Sequence, residues 1–288
     1  MKLTIFTPTY NRSKLLARAY ESLKSQTGKD FCWLIVDDGS TDDTRTVVEG
    51  WMNEGRIPIE YHYCVNGGKM RAHNRSVKLC RTEWFMCLDS DDCLVDDAVE
   101  SILNCIEENE EDERLAGIIA HKGKSGTKLL SGVDFPEGIK RSTLFDLYLK
   151  GFKGETTLVF RTAVLKKYPF PEIEGEKYVP EDYIYDKIDA EYEYIVFNKI
   201  LTVCEIVSEG YTDSVRKLRE DNKEAWYLYF EQRARITPVS LLKLKYLGYY
   251  RLYARMSGHA LKEADGISLW DKLLGIPGEM ILRIRGSV

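Results

Sequence analysis

Residues 31–44 read FCWLIVDDGSTDDT. Phe31 to Val36 are apolar without alternation, the pattern of a strand covered on both faces. The run stops abruptly on Asp37, Asp38, Gly39 and Ser40, residues that favour a turn. Ser40 or Thr41 can then cap a helix, and Asp42 and Asp43 suit its positive start. A doubly covered strand that feeds a turn and a helix is the repeating unit of an open, parallel α/β sheet.

The flanking segments repeat this unit. LTIFTPT (3–9) predicts a strand. SKLLARAYESLKSQ (13–26) predicts a helix with Ser13 as cap and Leu15, Leu16, Ala19, Tyr20 and Leu23 on one face. IEYHYCV (59–65) predicts a third strand, MRAHNRSVKLCR (70–81) a helix, and EWFMCL (83–88) a fourth strand. The expected fold class is α/β: a Rossmann-like, mostly parallel central sheet flanked by helices. Such sheets bind ligands at the carboxyl ends of their strands. Three of the four ends carry notable chemistry, in TPTYNR, VDDGS and LDSDD.

Further along, a helix is expected over 96–110, running into the solvated acidic run EENEEDER (107–114), and then a strand at LAGIIAHK (115–122). TTLVFR (156–161) predicts another strand followed by a helix from Thr162. YPFPEIEGEKYVPED (168–182) has the prolines of a loop and leads into a helix at EDYIYDKIDAEY (181–192), after which ILTVCEIV (200–207) predicts a strand. GKSGTK (123–128) lacks the first glycine of a phosphate loop and predicts a hairpin. Beyond about residue 210 the pattern turns helical. The expected organisation is a catalytic domain over 1–210, divided near 95, and a helical C-terminal extension over 211–288.

Composition narrows the classes. At 44% hydrophobic and 30% charged, the 288-residue chain resembles a soluble protein with a sizeable core. No stretch approaches a membrane span, and MKLTIFTPTYNR turns polar too soon for a signal peptide. The seven cysteines are odd in number and form no CxxC pair, so buried free thiols in a reducing cytosol are expected. The four histidines do not pair with them at zinc-ligand spacing, and His73 and His259 read as structural. Residues 216–288 hold 14 Lys+Arg against 8 Asp+Glu, a net +6, which leaves the first 215 residues at −11. That acidic part is not a nucleic-acid binder.

FMCLDSDDCLVDD (85–97) poses the chemical question, because three carboxylates crowd the end of an apolar strand. Clustered like charges need a positive partner. Asp89, Ser90 and Asp91 offer hard oxygen donors to one Mn²⁺ or Mg²⁺, which takes one or two carboxylates together with substrate phosphates. Helix capping is the structural alternative. Asp37 and Asp38 can accept hydrogen bonds from a base or simply make a turn, and Pro8, Thr9 and Tyr10 can wall a base pocket. NGGKMRAHNRS (66–76) places Lys69, Arg71 and Asn74 behind two glycines, which suits a phosphate-bearing ligand or a surface loop.

Together, TPTYNR, LLARAYESLKSQT, FCWLIVDDGSTDDT, NGGKMRAHNRSV and EWFMCLDSDD resemble, in order and spacing over residues 1–95, the start of a family 2 glycosyltransferase with the GT-A fold. Residues 154–188 resemble a bacterial subgroup that assembles surface polysaccharides. The resemblance implies inverting transfer of a hexosyl or N-acetylhexosaminyl group from a nucleotide sugar, a UDP-sugar, to a glycan or lipid-linked glycan acceptor. It implies that Asp38 contacts the uracil, with Thr7, Pro8, Thr9, Tyr10 and Arg12 nearby, that Asp89 lies near the ribose, and that Asp91 ligates the cation. In PED (180–182) it implies Asp182 or Glu181 as the base. Two alternatives stand beside it: a sugar-phosphate nucleotidyltransferase, for which TPTYNRS lacks the basic glycine-rich loop, and a silent nucleotide- or glycan-binding module.

The tail adds one expectation. From Gln232 to Lys262 there are seven Lys+Arg and no acid. Thr237-Pro238 looks like a helix start, and Tyr246, Tyr249, Tyr250 and Tyr253 recur at helical spacing. A basic aromatic helix can lie on an anionic membrane, which would make residues 236–288 a peripheral contact at the cytoplasmic face. Otherwise these faces pack on the catalytic domain or on a second subunit, as in a homodimer.

Overall fold

The computed structural model describes residues 1–109, 112–204, 215–261 and 267–284. The chain forms two compact units, Met1–Pro169 with Ile184–Ile206, and Phe170–Tyr183 with Val207–Val288.

The first unit opens with strict alternation: β1 (Leu3–Thr9), α1 (Ser13–Lys24), β2 (Phe31–Asp37), α2 (Thr44–Glu54), β3 (Ile59–Tyr63), α3 (Lys69–Leu79) and β4 (Trp84–Cys87). Then come β5 (Asp92–Leu94), α4 (Ala98–Glu107), β6 (Leu115–Ser125), β7 (Lys128–Leu129), β8 (Arg141–Ser142), α5 (Leu144–Leu149), β9 (Thr156–Arg161), α6 (Thr162–Leu165), α7 (Asp182–Asp189) and β10 (Glu193–Cys204). The first turn of α7 is counted with the second unit.

The sheet runs β3-β2-β1-β4-β9-β6-β10-β5. β3, β2, β1 and β4 are parallel, as their helical crossovers require. The sheet turns mixed at β9, which is antiparallel to both β4 and β6. β10 rejoins β6 in parallel, and β5 and β8 pair antiparallel to β10. The "mostly parallel" expectation therefore holds for the first four strands, and the later strands correct it. The cause is the connection: β9 follows two short strands and α5 rather than one crossover helix, so it can enter in either direction.

β2 is buried along its whole length, as an uninterrupted apolar run demands. Its Trp33 anchors a stack of Trp33, Tyr20 and Trp51, with Tyr20 and Trp51 centroids 4.4 Å apart. The core gathers residues of β1, β2, β4, β6, α1 and α4. Helix boundaries shift by one to three residues from expectation. Arg12, not Ser13, stands at the N-cap of α1, and Asp43 at that of α2. The expected helix over 96–110 is α4, while residues 110 and 111 lie outside the described ones. The 123–128 hairpin is present as the β6–β7 pairing. β10 begins seven residues before the expected strand, and residues 205–207 of that strand, like the domain boundary near 210, lie outside the described residues.

Gly117 tests the β6–β9 register. A methyl there would lie 1.7 Å from the Val159 carbonyl oxygen, a backbone atom that cannot swing away. Gly117→Ala is expected to destabilise the protein by about 3 kcal/mol, read as a lower urea midpoint.

The second unit is helical: α8 (Val215–Asp221), α9 (Lys223–Ile236), α10 (Leu241–Met256) and α11 (Leu269–Ile284). Thr237 ends α9 rather than starting α10; Ser240 caps α10, accepting the Lys243 amide at 3.2 Å. Pro238, directly after Thr237, would have allowed a helix start, but the Thr237 hydroxyl instead donates back to the Arg233 carbonyl. Tyr246, Tyr249, Tyr250 and Tyr253 are all buried in a cluster with Tyr229 and Phe230. The tyrosine face of α10 is core, not an outward surface.

Candidate active site

The carboxyl ends of β1, β2 and β4 lie side by side because β1 pairs in parallel with both neighbours. β2 ends on Asp37 and continues to Asp38, whose amide extends the pairing to the Thr9 carbonyl at 2.8 Å. β4 hands over to Leu88, whose amide meets the Phe6 carbonyl at 2.8 Å, and then to Asp89-Ser90-Asp91. One sheet edge therefore carries both acidic motifs.

The two aspartates after β2 behave differently. Asp37 is fully buried, and its carboxylate accepts the Tyr61 hydroxyl at 2.6 Å and the Ser40 amide at 2.7 Å. It holds the turn rather than facing a ligand. Asp38 accepts the amides of Gly67 and Gly68 at 2.7 and 2.8 Å, one on each carboxylate oxygen. The glycine turn therefore gives these amides to Asp38, not to an open anion cradle. Gly68 has φ +94°, a backbone that favours glycine, and its turn opens α3. Each carboxylate oxygen accepts two hydrogen bonds, so Asp38 keeps acceptor capacity.

Thr7 is fully buried and accepts the Trp33 indole N–H at 2.9 Å, so it supports the wall from behind. Thr9 is buried with no partner for its hydroxyl, Pro8 is half-buried and Tyr10 exposed. Asn11, at φ +52°, ties this strand end to the β2 turn by accepting the Thr41 amide at 2.7 Å. Asn74 is buried in α3, and Arg71 donates to the Gly67 carbonyl at 2.7 Å.

The DSD turn gathers the cations that its charge demands. Arg12 donates to Asp91 at 3.1 Å and to Ser90 at 3.2 Å. Lys69 lies 2.7 Å from Asp89. Lys122, on β6, reaches Asp92 at 2.9 Å and Asp89 at 3.8 Å. Burial opposes the Asp89 charge, but Lys69, Lys122 and Arg12 outweigh it and hold the carboxyl down at about 2. That stabilisation is present above the ordinary carboxylate range and is lost as pH falls towards 2. Burial, reinforced by Lys69, pushes His73 down to about 3, so its ring packs neutral and edge-on against Phe6 and Phe85.

Sequence reasoning missed Lys122. The only signal was a lone lysine closing the apolar run LAGIIAHK, one residue before the glycine of the hairpin. Because Asp92 is buried, Lys122→Met leaves that carboxylate uncompensated and is expected to cost about 3 kcal/mol in chemical denaturation.

Among the described residues no group of three or more His, Cys, Asp and Glu is placed to hold a metal. Asp89 and Asp91 form a two-carboxylate set, each part-exposed, which is the donor set Mg²⁺ or Mn²⁺ completes with phosphates. All seven cysteines are free thiols.

Glu181 and Asp182 lie at the start of α7, in the second unit, where Pro180 accepts the Tyr183 amide. Asp182 lies 3.1 Å from Arg233 and accepts the Tyr229 hydroxyl at 3.4 Å, both from α9. Although its side chain is more than half exposed, desolvation by the protein around it pushes the carboxyl up; Arg233 opposes this and Glu181 adds to it. His259 lies 2.7 Å from Glu224 and stacks on Tyr227, a structural pairing.

A parallel β3-β2-β1-β4 sheet whose strand ends carry carboxylates and cations is an open α/β fold with its ligand edge at those ends. The sequence profile of Glycosyl transferase family 2 matches residues 4–170, and the chain belongs to that family. Chondroitin synthase from Escherichia coli is 37% identical over 138 residues, which are 46% of this chain and 19% of that protein. The poly(ribitol-phosphate) beta-N-acetylglucosaminyltransferase TarS of Staphylococcus aureus is 28% identical over 63% of this chain and 30% of its own. A beta-1,3-glucosyltransferase of Campylobacter jejuni, named for an undecaprenol-linked substrate, is 28% identical over 59% of this chain and 55% of its own. The chain thus spans from a fifth to about half of these relatives. In fold it is similar to TarS in complex with UDP-GlcNAc (TM-score 0.64, 22% identity, 98% of this chain and 81% of that one). It is also similar to a Pyrobaculum calidifontis mannosyltransferase with GDP-Man and Mn²⁺ (TM-score 0.61, 18% identity, 98% and 80%).

Proposed function

We propose that this chain is a metal-dependent, inverting glycosyltransferase that moves a hexosyl or N-acetylhexosaminyl group from a UDP-sugar to a glycan or lipid-linked glycan in surface-polysaccharide synthesis. The observation that carries it is the placement of Asp38 and Asp89-Ser90-Asp91 on one sheet edge, at the ends of the two strands that flank β1. The relatives named for transfer to wall polymers or a lipid-linked oligosaccharide, and TarS with its UDP-GlcNAc, support the donor and acceptor classes.

In this proposal residues 1–95 bind the donor, 96–210 serve the acceptor, and 211–288 form a helical extension whose residues 236–288 contact the cytoplasmic face of the membrane. Among the described residues no helix is long and apolar enough to cross it. Asp38 holds the uracil against Pro8, Thr9 and Tyr10. Asp89 and Ser90 lie by the ribose and the diphosphate, and Arg12, Lys69 and Arg71 attract the phosphates. Asp91, with Asp89, would hold Mn²⁺ or Mg²⁺, which when bound offsets the charge developing on the leaving diphosphate. Asp182 or Glu181 takes the acceptor hydroxyl's proton as that oxygen attacks the anomeric carbon. A single displacement inverts the anomeric centre and needs no second carboxylate nucleophile.

The test is a melting-temperature screen of nucleotides and nucleotide sugars with each metal. UDP is expected to stabilise the chain more with Mn²⁺ or Mg²⁺ than alone. Failure of every UDP compound under both metals overturns the proposal.

A further inference from the structure

The last helix is turned inside out. In α11 two charged residues face the protein: Lys272 is 6% and Glu279 4% exposed. Glu279 is held by Arg251 at 3.0 Å and Arg255 at 3.3 Å, and Asp271 by Ser268 and Lys243. The large apolar residues face outward instead, with Trp270 76% and Met280 61% exposed and Leu273 and Leu274 about half. Positions 270, 273, 274, 277 and 280 fall on one helical face. An amphipathic helix docked on its own core shows the reverse pattern.

The outward direction is locked by packing. α10 and α11 meet through glycines: a methyl at Gly248 would lie 2.7 Å from the Gly278 carbonyl carbon, and one at Gly275 3.0 Å from the Leu247 carbonyl oxygen. Backbones this close leave no room for α11 to turn Trp270 inward. Contacts of Leu244 with Gly278, and of Arg251 with Gly275, make the two helices antiparallel, so the start of α10 lies beside the C-terminal half of α11. Near there Val239 in the α9–α10 turn is 93% exposed, and Leu241, the first residue of α10, is 85% exposed.

Charge decides the occupant. Arg235 and Lys245 are exposed on α9 and α10, Arg255 is taken up by Glu279, and no acid occurs from Gln232 to Lys262. Apolar side chains presented together with exposed cations fit an anionic lipid surface: the chains enter the acyl boundary and the cations meet headgroups. A second copy of this chain would bring the same cations and repel.

We propose that the outward face of α11, centred on Trp270, Leu273 and Leu274 and extended by Val239 and Leu241, docks the protein on an anionic bilayer. This deepens the membrane contact suggested for residues 236–288, narrowing it to α11 and the α9–α10 turn because the tyrosine face of α10 is buried. It rests on that part of the functional proposal, not on the nature of the donor.

The experiment is flotation of the full chain with vesicles of phosphatidylcholine alone or mixed with phosphatidylglycerol. The chain is expected to float with the anionic vesicles only. Trp270→Ser/Leu273→Ser/Leu274→Ser should cut the partition at least about tenfold with an unchanged melting temperature, because these side chains are not in the core. Arg235→Glu/Lys245→Glu should weaken flotation and its salt sensitivity. Asp91→Ala should float like the parent, which separates this surface from the transfer chemistry. Undiminished flotation of the triple serine variant, or equal flotation on neutral vesicles, overturns the proposal. So does a parent that stays unbound, whether light scattering finds it monomeric or finds a dimer that the triple variant dissociates.

Discussion

Asp91→Ala is expected to lower kcat for sugar transfer by roughly a thousandfold, about 4 kcal/mol of transition-state stabilisation, while the fold stays intact. Asp91 is part-exposed and its one described partner is Arg12, so its loss leaves no buried group unpaired. What it removes, on the proposed reading, is the oxygen that holds the cation against the leaving diphosphate. Two readouts accompany the rate. Manganese binding followed by paramagnetic resonance should weaken, and the extra thermal stabilisation by UDP in the presence of metal should vanish. Asp89→Ala should behave differently. Lys69 and Lys122 both face Asp89, so removing it strips a charge partner from each and lowers stability as well as activity. If Asp91→Ala keeps full turnover and full UDP stabilisation with metal, the DSD turn is only a strand-end junction.

Asp182→Asn is expected to lower kcat by about a thousandfold with little change in the donor KM, because the amide preserves shape and removes the proton acceptor. The pH dependence follows from its surroundings. Desolvation by the surrounding protein pushes this carboxyl up, against the pull of Arg233. A base must be ionised to act, so the acid limb of kcat/KM should fall at a higher pH than an ordinary carboxylate gives. Arg233→Met withdraws the opposing positive charge and should move that limb higher still, with activity lost earlier as the pH falls. If Glu181 is the base, Glu181→Gln produces the loss instead, and Arg233→Met leaves the limb in place.

The strands of the first half were legible because each is an apolar run of strand length bounded by turn residues. TTLVFR matches β9 residue for residue. The placement of the acidic motifs was legible where a motif ended a strand, as at Asp38 and Asp91. It was not legible where partners come from distant segments. Nothing local to Gly67-Gly68 says that its amides go to Asp38, and nothing in AHKG says that Lys122 will sit between Asp89 and Asp92. Thr237-Pro238 carried a valid helix-start signal, yet Ser240 took the cap. The tail left two readings open for a physical reason: tyrosines at helical spacing describe a face but not which way it points.

By itself the sequence determined the alternating strands and helices, their parallel pairing over β1 to β4, and the acidic motifs at their ends. Hydrophobic run length and turn chemistry are local properties and need no third dimension to act. Tertiary structure alone decided which carboxylate faces a cation, which is consumed in bracing a turn, and which face of α11 meets solvent. Those outcomes depend on side chains far apart in the chain, through distances of a few ångströms that no local pattern encodes.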